Sequence, residues 1–355
     1  MRRSLSIVFN AGRDVDFSLR LLAHDTWEKL LAFIAQYRLE ELELVYPIND
    51  VALKLPDHVW LSIERLHLEA HDDRPFARQH LFSNFGKLSS LRHLKISGSR
   101  NLDGIDRILP WQQMQTLEVR GQGCVTPSWW LCVLRQCRLL ERCCITLSKE
   151  SFTSPVISEE EKIVLANMDY FHAEFGHGLW VSLFLQPLVI PNVTTFSLWP
   201  AFMTCLIIEM PVLIGIIQRS EGMRHIRRLV IGHTLDVLDV GVLLELLPSL
   251  ESISIENGHL SDNSIKQLSS GKLGPRLCNI YLNDLHDADQ ILSMVESRYQ
   301  NATLPPDSEH TPCPFKSISI PCAEPTLQKS VYRIKLLSEK CHANISLDVK
   351  VRADW

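Results

Sequence analysis

The 355-residue sequence has none of the short motifs that mark the common hydrolase and nucleotide-binding classes. HExxH, GxSxG and the phosphate-binding P-loop are all absent, so zinc peptidase, serine hydrolase and P-loop chemistry are not indicated. The ten cysteines form no CxxC pair and have no regular spacing, which favours small core residues in a reducing compartment over a disulfide or zinc framework. We therefore predict that the protein is not an enzyme, with no catalytic residues, no cofactor and no metal.

A large excess of one charge and a long hydrophobic run are also missing. The formal net charge is −5, which gives no general argument for a nucleic-acid or membrane partner. The most apolar long segment, residues 201–218, is interrupted by Glu209 and Pro211, so a buried helix is predicted rather than a membrane span. The N-terminal residues have too short an apolar run for a signal peptide, and we predict a cytoplasmic or nuclear location.

What the sequence does contain is a repeat, clearest between Leu250 and Leu282. Two runs of alternating apolar residues predict strands, and between them Ser261-Asp262 caps a run with helical spacing. The pattern apolar-x-x-apolar-x-apolar recurs eleven times at intervals of 23 to 38 residues. Its anchors are Leu39-Leu42-Leu44, Ile63-Leu66-Leu68, Leu91-Leu94-Ile96, Met114-Leu117-Val119, Leu140-Cys143-Ile145, Leu165-Met168-Tyr170, Val193-Phe196-Leu198, Ile226-Leu229-Ile231, Leu250-Ile253-Ile255, Leu277-Ile280-Leu282 and Phe315-Ile318-Ile320.

Iterated strand–helix units of this length stack into a solenoid, because no unit can bury its apolar face alone. We predict an α/β leucine-rich repeat solenoid, a horseshoe of about twelve repeats with a parallel inner sheet and outer helices. Capping residues Thr126, Asp239, Ser261 and Asp287 precede several predicted helices. The whole chain is predicted to be one domain, with capping regions at residues 1–38 and 321–355 and repeats at 39–320.

Residues that alternate with the anchors are predicted to face the concave side of the sheet. The candidates for partner binding are Phe171, Thr195, Ser197, Trp199, Ser254, Glu256, Asn279, Tyr281 and Asn283. Exposed aromatic side chains flanked by small polar groups are typical anchors of protein interfaces. The alternative is that neighbouring loops cover Phe171 and Trp199.

Two sets of residues have the side-chain types that ligate metals. They are His67, His71, Asp72 and Asp73, and, in a later repeat, Asp284, His286, Asp287 and Asp289. His67 is predicted on a strand and its companions in the turn that follows, so no regular element brings them together. A solvated turn is favoured for both sets.

Gly121-Gln122-Gly123 follows a predicted strand and precedes a predicted helix, as in a dinucleotide-binding loop. Thr126 stands where the third glycine of that motif belongs, and Pro127 follows it. The close approach of helix and strand is therefore not encoded, and no cofactor is expected.

Several segments resemble a known family. Leu-Ser-Asp-x-x-Ile at residues 260–265 resembles the strand-to-helix turn of the repeats in F-box proteins. The segments LLELLPSLESISI, LHDADQILSMVESR, FKSISI and LSEKCHANISLDV resemble the closing repeats of the large F-box-like leucine-rich families of basidiomycete fungi. RSLSIVF and LLAHDTWEKLLAFI resemble the opening of the repeat region in those proteins, so the resemblance covers nearly the whole chain.

The resemblance implies a non-catalytic module for protein–protein interaction, like the substrate-recognition repeats of an F-box subunit in a cullin-type ubiquitin ligase. No stretch of the sequence matches the F-box that precedes the repeats in these families. The ligase adaptor is therefore expected as a partner only if an F-box lies upstream. The alternative is a stand-alone scaffold or regulatory protein unrelated to ubiquitination. Either reading implies a protein partner on the concave face, no nucleic acid, no membrane and a monomer.

Overall fold

The computed structural model describes residues 5–9, 29, 39–46, 56–70, 84–98, 107–121, 126–147, 162–177, 180–201, 205–283, 288–303, 311–319 and 324–346. They fall into two compact units, unit 1 at residues 1–176 and unit 2 at residues 177–355. Within these ranges no helix combines the length and the apolar character needed to cross a membrane. A single domain over the whole chain stays a prediction.

Unit 1 is built on parallel strands that pair in chain order. The strands are β1 (Leu5–Phe9), β2 (Leu39–Tyr46), β3 (Arg65–Ala70), β4 (His93–Ser97), β5 (Thr116–Arg120), β6 (Arg142–Leu147), β7 (Ile163–Val164) and β8 (Tyr170–Phe175). All except β7 join one sheet in the order β1-β2-β3-β4-β5-β6-β8. Its helices are α1 (Asp57–Ser62) and α2 (Pro127–Gln136), with a 3-10 turn at Trp111–Gln113. Parallel neighbours in chain order are what a stack of strand–helix repeats requires.

Unit 2 repeats the same arrangement. Its strands are β9 (Leu188–Val189), β10 (Thr195–Pro200), β11 (Arg228–Ile231), β12 (Leu238–Asp239), β13 (Ser252–Ile255), β14 (Gly258–His259), β15 (Asn279–Leu282), β16 (Ser317–Ser319) and β17 (Asn344–Ser346). The main sheet has the order β10-β11-β13-β15-β16-β17, and β12 pairs with β14. The helices are α3 (Trp180–Leu185), α4 (Met210–Arg219), α5 (Val240–Leu246), α6 (Asp262–Ser270), α7 (Ala288–Ala302) and α8 (Glu324–Cys341).

The predicted helix caps are present where the structure describes them. The Thr126 hydroxyl accepts a hydrogen bond from the Trp129 amide at 3.2 Å, with Pro127 in the first turn of α2. Asp239 and Ser261 cap α5 and α6 in the same way, at 3.1 Å each. A side-chain acceptor here satisfies an amide that has no partner inside the helix. Asp287 lies outside the described residues.

The strand registers superpose the repeat anchors. In unit 2, Leu229, Ile253 and Ile280 are register partners on successive strands, and all three are buried. A small apolar cavity shows what packs over the first of them, since it is lined by Phe196 and Leu229 together with side chains of α4 and α5. Strand anchors and helices thus share one core, and each unit is an α/β leucine-rich repeat solenoid, as the spacing predicts.

One repeat has a different register from the predicted one. In unit 1 the amide of the residue after each first anchor donates a hydrogen bond to the carbonyl oxygen of the matching residue in the preceding repeat, as Glu141 does to Gln115. Asp169 is the residue that donates to Glu141, at 2.8 Å, so the first anchor of this repeat is Met168. The anchors are therefore Met168, Phe171 and Ala173, all buried, and the predicted set Leu165-Met168-Tyr170 is wrong.

The predicted C-terminal capping region contains regular elements of the same kind. Helix α8 lies in this region, and β17 pairs in parallel with β16. Ile345 is the register partner of Ile318, and both are buried. The repeat pattern therefore continues past residue 320.

Candidate functional site

The open face of unit 2 consists of the strand residues that alternate with the buried anchors. On β10 these are Thr195, Ser197 and Trp199, and the register continues them onto the later strands. The set also contains Arg228, Val230, Gly232, Ser252, Ser254, Glu256, Asn279, Tyr281, Asn283, Ser317 and Ser319. Small polar side chains dominate it, and its charged members are Arg228 and Glu256.

Trp199 is held in a defined position at one end of the open face. Its side chain is 36% exposed, and its indole Nε1 donates a hydrogen bond to the Ser197 hydroxyl at 3.0 Å. The ring lies against Gly232, the residue after β11, where an added Cβ would come within 2.7 Å of Pro200 Cδ and 2.8 Å of the indole Cε3. A side chain at 232 would therefore displace the rings of Trp199 and Pro200. Because glycine has no side chain, it leaves room for the tryptophan ring at this position.

Tyr281 is the second large side chain on this face and is 42% exposed. It lies on β15, and its register partners are the small residues Ser254 and Ser319. Serine on both sides leaves the faces of the phenol ring open to a partner. Val230 is the register partner of Ser254 on β11 and is buried. This part of the open face is therefore apolar and does not project from the sheet.

The charges of the open face lie at its edge. Glu256 follows the end of β13, and the His233 ring nitrogen Nδ1 approaches its carboxylate at 3.7 Å. Aromatic anchors, small hydroxyl and amide groups and few charges are the composition that protein-recognition surfaces favour. A rigid parallel sheet also lets these side chains bind without a large ordering cost.

The open face of unit 1 has a different chemistry, because charged pairs line it. Arg65 and Glu41 meet at 3.1 Å, and the imidazole of His172 and the Glu174 carboxylate also meet at 3.1 Å. The hydrogen bond from His172 lowers the pKa of Glu174, and the Thr146 hydroxyl, 3.0 Å away, contributes in the same direction. These groups satisfy one another along the strands.

The thiols of Cys137, Cys143 and Cys144 do not have the acidity that a nucleophile needs. Desolvation by burial raises the pKa of Cys137 to about 12. It also raises the pKa of Cys143 and Cys144, although Arg120 beside Cys144 acts in the opposite direction. A buried thiol with a raised pKa stays protonated at neutral pH and is a poor nucleophile.

The predicted site residues divide into three groups. Phe171 was predicted to face outward, but it is 0% exposed, since the true register makes it an anchor. Ser197 is on the open face but only 5% exposed, because Trp199 folds back onto its hydroxyl. The others lie on the open face of unit 2, and they are Thr195, Trp199, Ser254, Glu256, Asn279, Tyr281 and Asn283.

The sequence interpretation missed two features of the open faces. Gly232 stands one position past the last anchor of its repeat, and aligning repeats would have placed it beside Trp199. The same alignment puts Glu43 directly beside His67, which the structure confirms as register partners. Both signals were available in the repeat pattern.

Most of the residues weighed as metal ligands or as a dinucleotide-binding loop, and not favoured as such, lie outside the described residues. This holds for His71, Asp72 and Asp73, for Asp284, His286 and Asp287, and for Gln122 and Gly123. His67 and Asp289 are described. Asp289 is in the first turn of α7 and pairs with Arg333 at 3.4 Å.

Comparison with known proteins adds little to this geometry. No family model matches the sequence, and no curated protein matches it. Among solved structures, the chain is similar to an internalin from Listeria monocytogenes, at 10% sequence identity and a TM-score of 0.37. The similarity covers 79% of this chain and 82% of that chain. So distant a likeness says nothing about what this protein binds.

Proposed function

We propose that the open face of unit 2 binds another protein and that Trp199 and Tyr281 are its main anchors. The observation that carries the proposal is the combination of two part-exposed aromatic rings, of which Trp199 is held by a hydrogen bond, with surrounding serine and asparagine side chains. Tryptophan and tyrosine are the residues that most often dominate the energy of protein interfaces. They bury a large area at a small cost in side-chain entropy.

Two other classes of ligand fit this face less well. A nucleic acid requires several phosphate contacts, and Arg228 is the one lysine or arginine in the set that forms the open face of unit 2. A small-molecule substrate is normally enclosed in a pocket of several hundred Å³. An extended sheet surface with separate anchors suits a protein segment laid across several strands.

We expect Trp199→Ala and Tyr281→Ala each to weaken partner binding by about 30-fold, since a hot-spot residue contributes about 2 kcal/mol. Proximity labelling with the wild-type protein identifies candidate partners. Affinity is then measured on purified components. The matched control is Tyr332→Ala, because Tyr332 is a 77% exposed tyrosine on α8, away from the sheet.

Gly232→Val adds a second, independent test, since it keeps both aromatic residues in the sequence but places a side chain where the rings of Trp199 and Pro200 lie. Affinity should fall with this variant also. A partner that binds wild type, Trp199→Ala and Tyr281→Ala equally well would show that the contact lies elsewhere, and the proposal would then be wrong.

We further propose that the bound protein is a substrate of a ubiquitin ligase. This finer step is supported by the resemblance of residues 243–255, 285–298 and 315–320 in unit 2 to the closing repeats of F-box-like proteins. Deleting the protein should then raise the steady-state level of a partner whose binding depends on Trp199 and Tyr281. An unchanged level would instead favour the stand-alone scaffold. Recovery of a ligase adaptor with the full-length protein tests the link to the ligase directly.

A further inference from the structure

Three side chains with metal-ligand chemistry converge on the open face of unit 1. Glu43 is on β2, and His67 and Glu69 are on β3, where Glu43 and His67 are register partners. One ligand atom from each of the three lies within 4.8 Å of the others. The set is independent of the turn residues His71, Asp72 and Asp73 that the sequence singled out. It comes from pairing two strands.

The imidazole of His67 is held from both sides. Its Nδ1 lies 3.2 Å from Glu43 Oε1, and its Nε2 lies 3.1 Å from the hydroxyl of Ser97 on β4. A serine hydroxyl can donate or accept, so it is compatible with either tautomer of the ring. When Nε2 carries the proton and donates to Ser97, the Nδ1 lone pair is free to face Glu43. In that tautomer the imidazole and the two carboxylates offer three ligand atoms that can share one cation.

We propose that Glu43, His67 and Glu69 bind one divalent transition-metal ion, with Zn²⁺ as the best match. Imidazole nitrogen and carboxylate oxygen are both accepted zinc ligands. Two ligands about 2.1 Å from a tetrahedral ion lie about 3.4 Å apart, close to the separation of His67 Nδ1 and Glu43 Oε1. Ser97 would then act as the outer partner that fixes ring orientation.

A divalent ion suits the charge of this set. The ligand oxygens of the two carboxylates lie within 4.8 Å of each other, so their negative charges repel. A divalent ion cancels both negative charges at once. Lys95 is the register partner of His67 on β4 and opposes a cation, but it is exposed, so solvent screens its charge.

Three protein ligands leave a coordination position open. In a tetrahedral zinc site that position is filled by water or by a donor atom of another molecule. The ion would therefore join β2 to β3 and present one exchangeable site on the charged face of unit 1. This role is separate from protein binding on unit 2.

Titration of the full chain with ZnCl₂ by calorimetry, in a reducing buffer without chelator, tests the proposal. Wild type should bind one equivalent of Zn²⁺. His67→Ala should lower the zinc affinity by at least about 100-fold. Ser97→Ala should lower the zinc affinity about tenfold, as expected for a residue that orients a metal ligand through a hydrogen bond. The matched control is His93→Ala, because His93 is on the same face with its Nδ1 on a neighbouring hydroxyl, Thr116, at 3.0 Å.

Co²⁺ substitution separates this site from the cysteines of the chain. Ligation by nitrogen and oxygen gives a cobalt spectrum without thiolate-to-metal charge-transfer absorption, whereas binding at cysteine shows that absorption. Circular dichroism and thermal unfolding establish that each variant is folded. The proposal is overturned if wild type binds no equivalent, if His67→Ala and wild type bind alike, or if the cobalt spectrum has the thiolate band.

Discussion

Replacing Arg298 by alanine is expected to lower the free energy of unfolding by about 5 kcal/mol. The side chain is 0% exposed, and its guanidinium donates to main-chain carbonyl oxygens from three directions. Nε donates to Cys313 at 2.8 Å, Nη1 to Leu268 at 2.8 Å, and Nη2 to Gly274 at 2.7 Å and Leu277 at 3.1 Å. Alanine leaves these buried carbonyls without their donor, and each such loss costs about 1–3 kcal/mol.

The guanidinium stays charged at neutral pH although it is buried. Desolvation lowers the pKa of Arg298 to about 10, which is still far above 7. Among the described residues Arg298 forms no ion pair, so the stabilisation comes from carbonyl dipoles and from the Phe315 ring, 4.6 Å away. The group therefore joins α7 to the turn after α6 and to the chain entering β16. Lysine cannot reproduce this geometry, because its ammonium has three donors on one atom.

Urea unfolding monitored by circular dichroism measures the effect, with Arg333→Ala as the matched control. Arg333 is an arginine in α8 that contacts Asp289, Ser293 and Glu296 at the surface. Exposed ion pairs are worth about 0–1 kcal/mol, so this variant should stay close to wild type. Arg298→Lys should lower the free energy of unfolding by most of the amount that Arg298→Ala does. Equal and small losses for Arg298→Ala and Arg333→Ala would show that the carbonyl network contributes little.

The repeat pattern was sufficient to predict the fold because each anchor has a simple physical role. Leu66, Leu94 and Leu117 occupy the same place in successive repeats, and the parallel register superposes them in the core. Spacing alone carries this information, since residues two apart on a strand share a face. The helix caps were predictable for the same reason, because Thr126, Asp239 and Ser261 act within a few residues of their own position.

Features that depend on distant parts of the chain were not predictable in this way. Arg298 lies in a run with helical spacing, where a charged residue is expected in solvent. Its burial depends on carbonyls of residues 268–277 and 313 converging around the last turns of α7. No local pattern contains that convergence. The contact between Glu43 and His67 lies between the predictable and the unpredictable features. Neither strand contains it alone, but it follows from the register once two repeats are aligned.

The positions of residues on the open face were predicted well where the repeats are regular. Tyr281 and its row partner Ser254 lie where the alternation places them. The alternation could not show that Trp199 turns back onto Ser197, since that depends on the absence of a side chain at Gly232, just past the next strand. The prediction that Phe171 faces outward was wrong for a simpler reason. Leu165, Met168 and Tyr170 also fit the template, and the sequence alone does not rank two overlapping fits.

The second large expected effect follows from the buried register position of Phe171. Phe171→Ala should lower the free energy of unfolding by about 4 kcal/mol. Phe171 is fully buried on β8 and is the register partner of the anchor Cys143 on β6. Removing a buried phenyl ring forfeits its transfer free energy and leaves a cavity that the stacked repeats fill only in part. Urea unfolding of purified protein measures the loss.

The neighbouring residue supplies the matched control and separates the two registers. Tyr170 is only partly buried, and the Arg142 guanidinium lies 4.7 Å from its ring centre on the open face of unit 1. Tyr170→Ala should therefore cost about 1 kcal/mol or less, the value of an exposed cation–π contact. In the alternative register, with Tyr170 as an anchor and Phe171 outward, the order of the two losses reverses. A larger loss for Tyr170→Ala than for Phe171→Ala would restore that register and return Phe171 to the open face as a candidate contact for a partner.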